Sequence, residues 1–200
     1  MNIRTVFSLA MAALLLAGCI TCPPVVRDGV VQLPCCASGS ANIINIDTGT
    51  APWRVMLPTQ TWYQPVVVPA PNAAWAPVPQ ASWVRPPPAS NRYPPGNYTY
   101  ALQLAVPACS AGRTITITGR FAADNMASVF LDTPAAQGTS PIAAQTTTQG
   151  FLPANVTQFS TSIASASAGN YVLRVVVNNE PTFPSDTGMI LQGAVLTSCP

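Results

Sequence analysis

Six cysteines, six isolated carboxylates and no histidine set the limits on what chemistry this 200-residue chain can perform. Without an imidazole, Ser-His-Asp or Cys-His nucleophile systems and a His-ligated zinc site are excluded. General acid–base work would fall to Asp28, Asp47, Asp124, Asp132, Asp186 and Glu180. These are scattered singly rather than paired, so no catalytic residue is assigned. A thiolate-only metal site is a poor fit, because Cys22 is far from Cys35 and the adjacency of Cys35 and Cys36 makes shared coordination awkward. No metal and no cofactor is therefore expected. Two sites of chemistry remain. One is the Cys19 thiol, which follows Leu16-Ala17-Gly18; the other is the aromatic pair Trp62-Tyr63, whose ring faces can stack on a ligand while Asn, Gln or Asp supply hydrogen bonds.

Cys19 closes a segment with one positive charge, Arg4, and an apolar run from Val6 to Leu16 that is too short to span a bilayer as a helix. Such a segment is a secretory signal. Leu16-Ala17-Gly18-Cys19 resembles the lipobox of bacterial lipoproteins, which implies a mature chain beginning at a lipid-modified Cys19 and a membrane as its first partner. Three acyl chains, at roughly 0.8 kcal/mol per buried CH₂, would anchor it stably. Ile20 after the cysteine, rather than an aspartate, resembles the pattern of lipoproteins sent to the outer membrane, on its periplasmic face or the cell surface.

Composition narrows the partners further. All eight basic residues are arginine against six acids, a formal net charge of +2 that falls by one if Arg4 leaves with the signal. That gives no field to steer nucleic acid, which is not an expected partner. Thr, Ser, Asn, Gln, Ala and Val replace charge, a mixture suited to strands with one face in water. The expected class is all-β. The expected division is a signal over 1–18, a Cys/Pro-containing tether over 19–41 and one β domain over 42–200.

The elements that would position any site follow from period-two alternation. Ile43–Ile46 and Trp53–Leu57 read as short strands. Between Pro52 and Pro95, twelve prolines and all four tryptophans (Trp53, Trp62, Trp75 and Trp83) predict irregular loops and edge strands lying over a sheet, since prolines deny ladder hydrogen bonds while indoles seek burial. Tyr98, Tyr100, Leu102, Leu104 and Val106 alternate cleanly with smaller or polar residues. Ile115, Ile117 and Phe121 repeat the pattern, and Asp124-Asn125 reads as the turn of a hairpin into Ser128–Leu131, with Gly119 suited to a bulge. Thr133–Asn155 reads as a long loop, Val156–Ile163 as a weaker strand, and Gly169–Val177 and Met189–Leu196 as the closing strands.

Several pieces in this order are similar to bacterial exported β-sandwich modules with the galactose-binding-like, jelly-roll fold, often found in anchored surface proteins. They are Trp75 and Trp83, Gly96-Asn97-Tyr98-Thr99-Tyr100, Ile117 through Asn125, Val129-Phe130-Leu131, Phe159, Val175-Val176-Val177-Asn178-Asn179 and Thr187-Gly188-Met189. The resemblance covers Ile43 to Ser198. It implies an antiparallel jelly-roll-like sandwich and, since members often bind glycans, a glycan as a candidate ligand, but it transfers no sugar-binding residue. Trp75 and Trp83 fall at scaffold positions and are expected to cover the core. Trp62-Tyr63 matches no scaffold position and is the candidate ligand site. Asp124 and Asn125 suit a turn, with a calcium or sugar contact as the other reading. Asp132-Thr133-Pro134 replaces the asparagine-glycine turn of the pattern.

Export permits disulfides. Cys109 and Cys199 are expected to pair, tying down the terminal strand, while Cys22, Cys35 and Cys36 leave an odd thiol. The leading expectation is a non-enzymatic outer-membrane or surface lipoprotein with a glycan-binding or surface-interaction sandwich. The alternative is a structural subunit packing into an envelope or surface assembly, with an envelope protein as its partner.

Overall fold

Alternation along Gly96–Val106 buries Tyr98, Tyr100, Leu102 and Leu104 almost completely, and this strand is the spine of the fold. The computed structural model describes residues 25–35, 41–69, 74–88, 92–180 and 184–198. The signal at 1–18, Cys19, Cys22, Cys36 and Cys199 lie outside the described residues.

The strands are β1 (Val25–Arg27), β2 (Val30–Gln32), β3 (Ala41–Asn45), β4 (Arg54–Met56), β5 (Trp62–Tyr63), β6 (Val66–Val68) and β7 (Trp83–Arg85). They continue as β8 (Gly96–Val106), β9 (Ile115–Asp124), β10 (Met126–Asp132), β11 (Ala143–Ala144), β12 (Thr157–Ile163), β13 (Gly169–Asn179) and β14 (Gly188–Ser198). The first sheet runs β1-β2-β8-β13-β10-β11, with β4 also on β8 and β5 beyond β4; the second runs β12-β9-β14-β7-β6, with β3 also on β14. The six longer strands β8, β9, β10, β12, β13 and β14 alternate between the sheets along the chain, a jelly-roll-like path. The protein is an all-β sandwich. Its core is the interleaved inner faces, among them Tyr100, Leu102, Leu173 and Val175 against Ile117, Phe121, Leu191 and Val195.

Both long strands of the central β8–β13 pair open with Gly-Asn-Tyr, and the structure gives that shared step a reason. Gly96 and Gly169 have φ of +137° and +135°, where an L side chain is strained, and each lets the chain turn sharply into its strand.

Three expectations need correction. Asp124-Asn125 does not close a hairpin: β9 belongs to the second sheet and β10 to the first, so the chain crosses the sandwich there. Gly119 makes no bulge. Its register runs unbroken against Phe159 and Gly193, and a Cβ there would come within 2.6 Å of the Gln192 carbonyl oxygen and 2.8 Å of the Phe159 ring, so the glycine lets both approach. Nor is 19–41 simply a tether. Val25 to Gln32 form the β1–β2 hairpin, β2 pairs in parallel with β8 (Val30↔Gln103), and Val31 and Leu33 enter the core.

That last packing also overturns the expected Cys109–Cys199 bridge. Leu33 N–H donates to the Ala105 carbonyl, drawing Cys35 alongside the turn after β8, and Cys35 is bonded to Cys109 with their Cα atoms 5.5 Å apart. Cys109 has one sulfur to give, and Cys199 follows a strand of the other sheet.

The proline-rich stretch behaves as its composition predicts. Trp53, Trp75 and Trp83 are buried, and the indole N–H groups of Trp53 and Trp83 donate to the carbonyls of Ile46 and Ala76. Trp75 and Trp83 pack with centroids 4.2 Å apart, covering the outer face of the second sheet with Ala122 and Ile190.

Candidate functional site

Trp62 is the one tryptophan left in solvent, 39% exposed, and the pleat of β5 decides where it points. Trp62 pairs with Met56, and Tyr63 pairs with Val55, which is wholly buried in the core. Successive side chains leave a strand on opposite faces. The expected Trp62-Tyr63 pair is therefore split: Trp62 lies on the outward face of the first sheet, and Tyr63 projects on the other side at the sheet edge.

The outward face is built from cross-strand rows. One row reads Arg54, Ala101, Arg174, Phe130 across β4, β8, β13 and β10; the next reads Met56, Thr99, Val176, Ser128; a third reads Asn97, Asn178, Met126. Ala101 and Ser128 are short, so the surface is low between taller neighbours. Two adjoining recesses of about 260 and 550 Å³ occupy it and share Arg174. The smaller is walled by Trp62, Arg54, Pro52 and Gly29, and the larger by Phe130, Asn97, Asn178 and the Gln137–Thr139 loop.

Arg174 fixes the centre. Its Nε and Nη2 donate to Asp132 Oδ2 and Oδ1 at 2.6 and 2.9 Å, and Nη2 also donates to the Gly138 carbonyl at 3.0 Å. Asp132 Oδ1 accepts the Gly138 N–H at 2.8 Å, so the pair ties down the loop that overhangs the groove. The Asp132-Thr133-Pro134 departure thus has a structural use, with Thr133 and Ala136 closing a tight turn behind it. The guanidinium lies 5.0 Å from the Phe130 ring centroid. At the other end the Arg54 guanidinium lies 5.7 Å from the centre of Trp62. Asn178 Nδ2 donates to Asn97 Oδ1, leaving neutral amides along the far side. With Asp132 committed to Arg174, the groove offers an indole with the Arg54 guanidinium beside it, a flat ion pair, amides and hydroxyls. That chemistry suits a hydroxyl-rich ligand with apolar faces, and it supplies no nucleophile with an adjacent base.

Asp124 is elsewhere, buried at the end of β9. Burial, reinforced by the negative charge of Asp186, pushes its carboxyl up to about 7, with the Arg85 guanidinium opposing the shift. Asp186 and Arg85 pair at 3.2 Å, and Arg85 stacks 5.1 Å from the centre of Trp75. Asp124 Oδ1 accepts from Asn125 Nδ2, and the Asp124 carbonyl accepts from the Thr187 hydroxyl. Among the described residues no group of three His, Cys, Asp or Glu side chains is placed to hold a metal ion. The positive charge facing these carboxyls is an arginine.

Sequence reasoning reached Trp62 but not Arg54, Phe130, Arg174 or Asp132. Each is an outward position in an alternating strand, yet nothing short of the strand pairing reveals that they share one face.

No protein-family model matches the chain, and no curated protein matches it. Among solved structures it is similar to a family 35 carbohydrate binding module from Clostridium thermocellum, at 9% identity over 76% of this chain and 96% of that one, with a TM-score of 0.41. It is also similar to a CBM35 from Paenibacillus barcinonensis, at 15% identity over 75% and 96%, with a TM-score of 0.39. A Faecalibacterium prausnitzii beta-glucuronidase aligns at 16% identity over 83% of this chain but only 33% of its own, with a TM-score of 0.42. The sandwich assignment rests on the chain's own strand pairing.

Proposed function

We propose that this chain is an outer-membrane lipoprotein whose sandwich binds a glycan on the outward face of its first sheet and catalyses no reaction. The observation that carries the binding reading is Trp62, 39% exposed beside a groove whose near half is lined by Arg54, Gln103 and the Arg174–Asp132 pair and whose far half is lined by the amides of Asn97 and Asn178 and the Ser128 hydroxyl. An indole face stacks on the C–H face of a sugar ring while amides and hydroxyls meet its hydroxyl groups. The test is tryptophan emission, because the other three indoles are buried and a ligand-induced change reports on Trp62. A panel of oligosaccharides should include one that quenches emission. Trp62→Ala should abolish the response with little change in thermal unfolding, and a panel that leaves the emission untouched refutes the reading.

The anchoring part of the proposal is motivated by Leu16-Ala17-Gly18-Cys19 and by Ile20. Intact mass of the membrane fraction should show a lipid adduct on a chain beginning at Cys19. Cys19→Ala that leaves both mass increment and membrane retention unchanged defeats it.

A second reading, a structural subunit, is favoured by one observation. Among the described residues, Val25 and Val26 on the outermost strand β1 and Val67 on the outermost strand β6 are 56%, 47% and 54% exposed, so both described sheets carry apolar edges suited to strand addition. Sedimentation of the purified domain separates the readings: ordered oligomers that dissociate on Val26→Lys or Val67→Lys support assembly, and a monomer at high concentration opposes it.

A further inference from the structure

Trp62 stands at one end of the groove and a second aromatic stands at the other. Its indole leans toward Arg54, which opens the row Arg54, Ala101, Arg174, Phe130. From β5 to β10 that line crosses four strand spacings, ~19 Å at ~4.8 Å each, which is the length of a tetrasaccharide rather than of one sugar ring. One ring cannot rest on Trp62 and on Phe130 together. Between them the surface stays low, because Ala101 in this row and Ser128 in the next are short, and Arg174 is held flat by its bonds to Asp132 and Gly138. The groove is also open at the Trp62 end. Among the described residues β5 pairs only with β4 and is the outermost strand there, and no further described strand closes the groove beyond the indole. A pocket for a chain terminus needs an end wall; an open trough crossing the strands does not distinguish an end from a middle.

We infer that the groove takes an internal stretch of a linear glycan about four residues long, with one sugar on Trp62 and another against Phe130 and the Gln137–Thr139 loop. This rests on the carbohydrate-binding reading and specifies the ligand that it requires.

The experiment is a length ladder. Cello-, xylo-, manno- and chito-oligosaccharides of one to six residues are titrated into the mature chain, following Trp62 emission and heat of binding. In the series that binds, affinity should rise at least tenfold from disaccharide to tetrasaccharide and then level off. Reducing the terminal sugar of the hexasaccharide to its alditol should leave affinity unchanged. Ser128→Tyr, which raises a bulky ring in the far half of the groove, should bring the tetrasaccharide down to disaccharide affinity without altering the disaccharide. Phe130→Ala should do the same by removing the far contact, and the two substitutions guard against a folding defect in either one. A monosaccharide that binds as tightly as the tetrasaccharide overturns the inference while leaving carbohydrate binding intact. So does a tetrasaccharide-to-disaccharide ratio that survives both substitutions. Absence of binding in every series refutes the carbohydrate reading and this inference together.

Discussion

Tyr98 and Tyr171 make the same hydrogen bond at opposite ends of the β8–β13 pair: each phenol donates to the carbonyl four residues upstream, Pro94 at 2.8 Å and Ser167 at 3.2 Å. In each case the tyrosine follows a glycine of positive φ by two residues, so its hydroxyl fastens the turn that the glycine permits. A net intramolecular hydrogen bond contributes about 1 kcal/mol. Tyr98→Phe should cost less than Tyr171→Phe, because the Pro94 carbonyl also accepts from Asn179 Nδ2 and keeps a partner. The two sites are some six residues apart along the ladder, ~20 Å, and share no partner. Their effects on the urea midpoint should therefore add within about 0.5 kcal/mol.

The Arg174–Asp132 pair is largely shielded, with side-chain exposures of 15% and 16%. Removing one partner leaves the other charge poorly solvated, and Arg174→Met should lower stability by about 2–3 kcal/mol, below the range for a fully buried pair because solvent still reaches the edge. Asp132→Asn should cost less, since an amide oxygen can still accept from Arg174 and Gly138. The double variant Arg174→Met with Asp132→Leu should recover most of the loss. Equilibrium denaturation of the four proteins completes the cycle, and strict additivity would show that the pair does not act as a unit.

Asp124 gives the fold a pH dependence whose sign can be fixed. Its carboxyl holds its proton up to about pH 7 in the folded protein, against 3.8 for an ordinary aspartate. Over that window the folded state binds more protons than the unfolded one, so stability is greatest below the lower value and falls as pH rises through the upper one. Denaturation midpoints from pH 4.5 to 8.5 should decline and then level. Asp124→Asn mimics the neutral carboxyl and should flatten this slope; an unchanged slope would assign the effect to another group.

Cys35–Cys109 links residues 74 apart in sequence, and peptide mapping under non-reducing conditions should recover that pair rather than Cys109 with Cys199. Chain-entropy arguments place a loop of this length at about 4–5 kcal/mol, and measured losses run to about 2–4 kcal/mol. Cys35→Ser should fall in the lower range. It should also raise amide exchange in β1 and β2 before β13, because the bridge secures the hairpin to β8 and leaves the central pair untouched.

The sequence by itself determined the class and the core. Period-two alternation in Gly96–Val106 and Ile115–Phe121 is a local property of the chain, and a strand with one apolar face has only one way to bury it, so Tyr98, Leu102, Ile117 and Phe121 could be placed inward without any pairing. The absence of histidine restricted the chemistry equally locally. The tertiary structure alone decided everything that depends on which strands are neighbours. Val25–Gln32 is too short and too weakly patterned to announce itself as sheet; it joins β8 along Gln103–Ala105, the part of that edge which β4 leaves unpaired, and only then does Cys35 meet Cys109. Whether Asp124-Asn125 turns back or crosses over depends on sheet partners distant in sequence. The groove is the clearest case. Trp62, Arg54, Arg174 and Phe130 span 120 positions of sequence between Arg54 and Arg174, and no local pattern records that register sets them on one face in neighbouring rows, because register is fixed by the buried faces beneath them rather than by the residues that face the solvent.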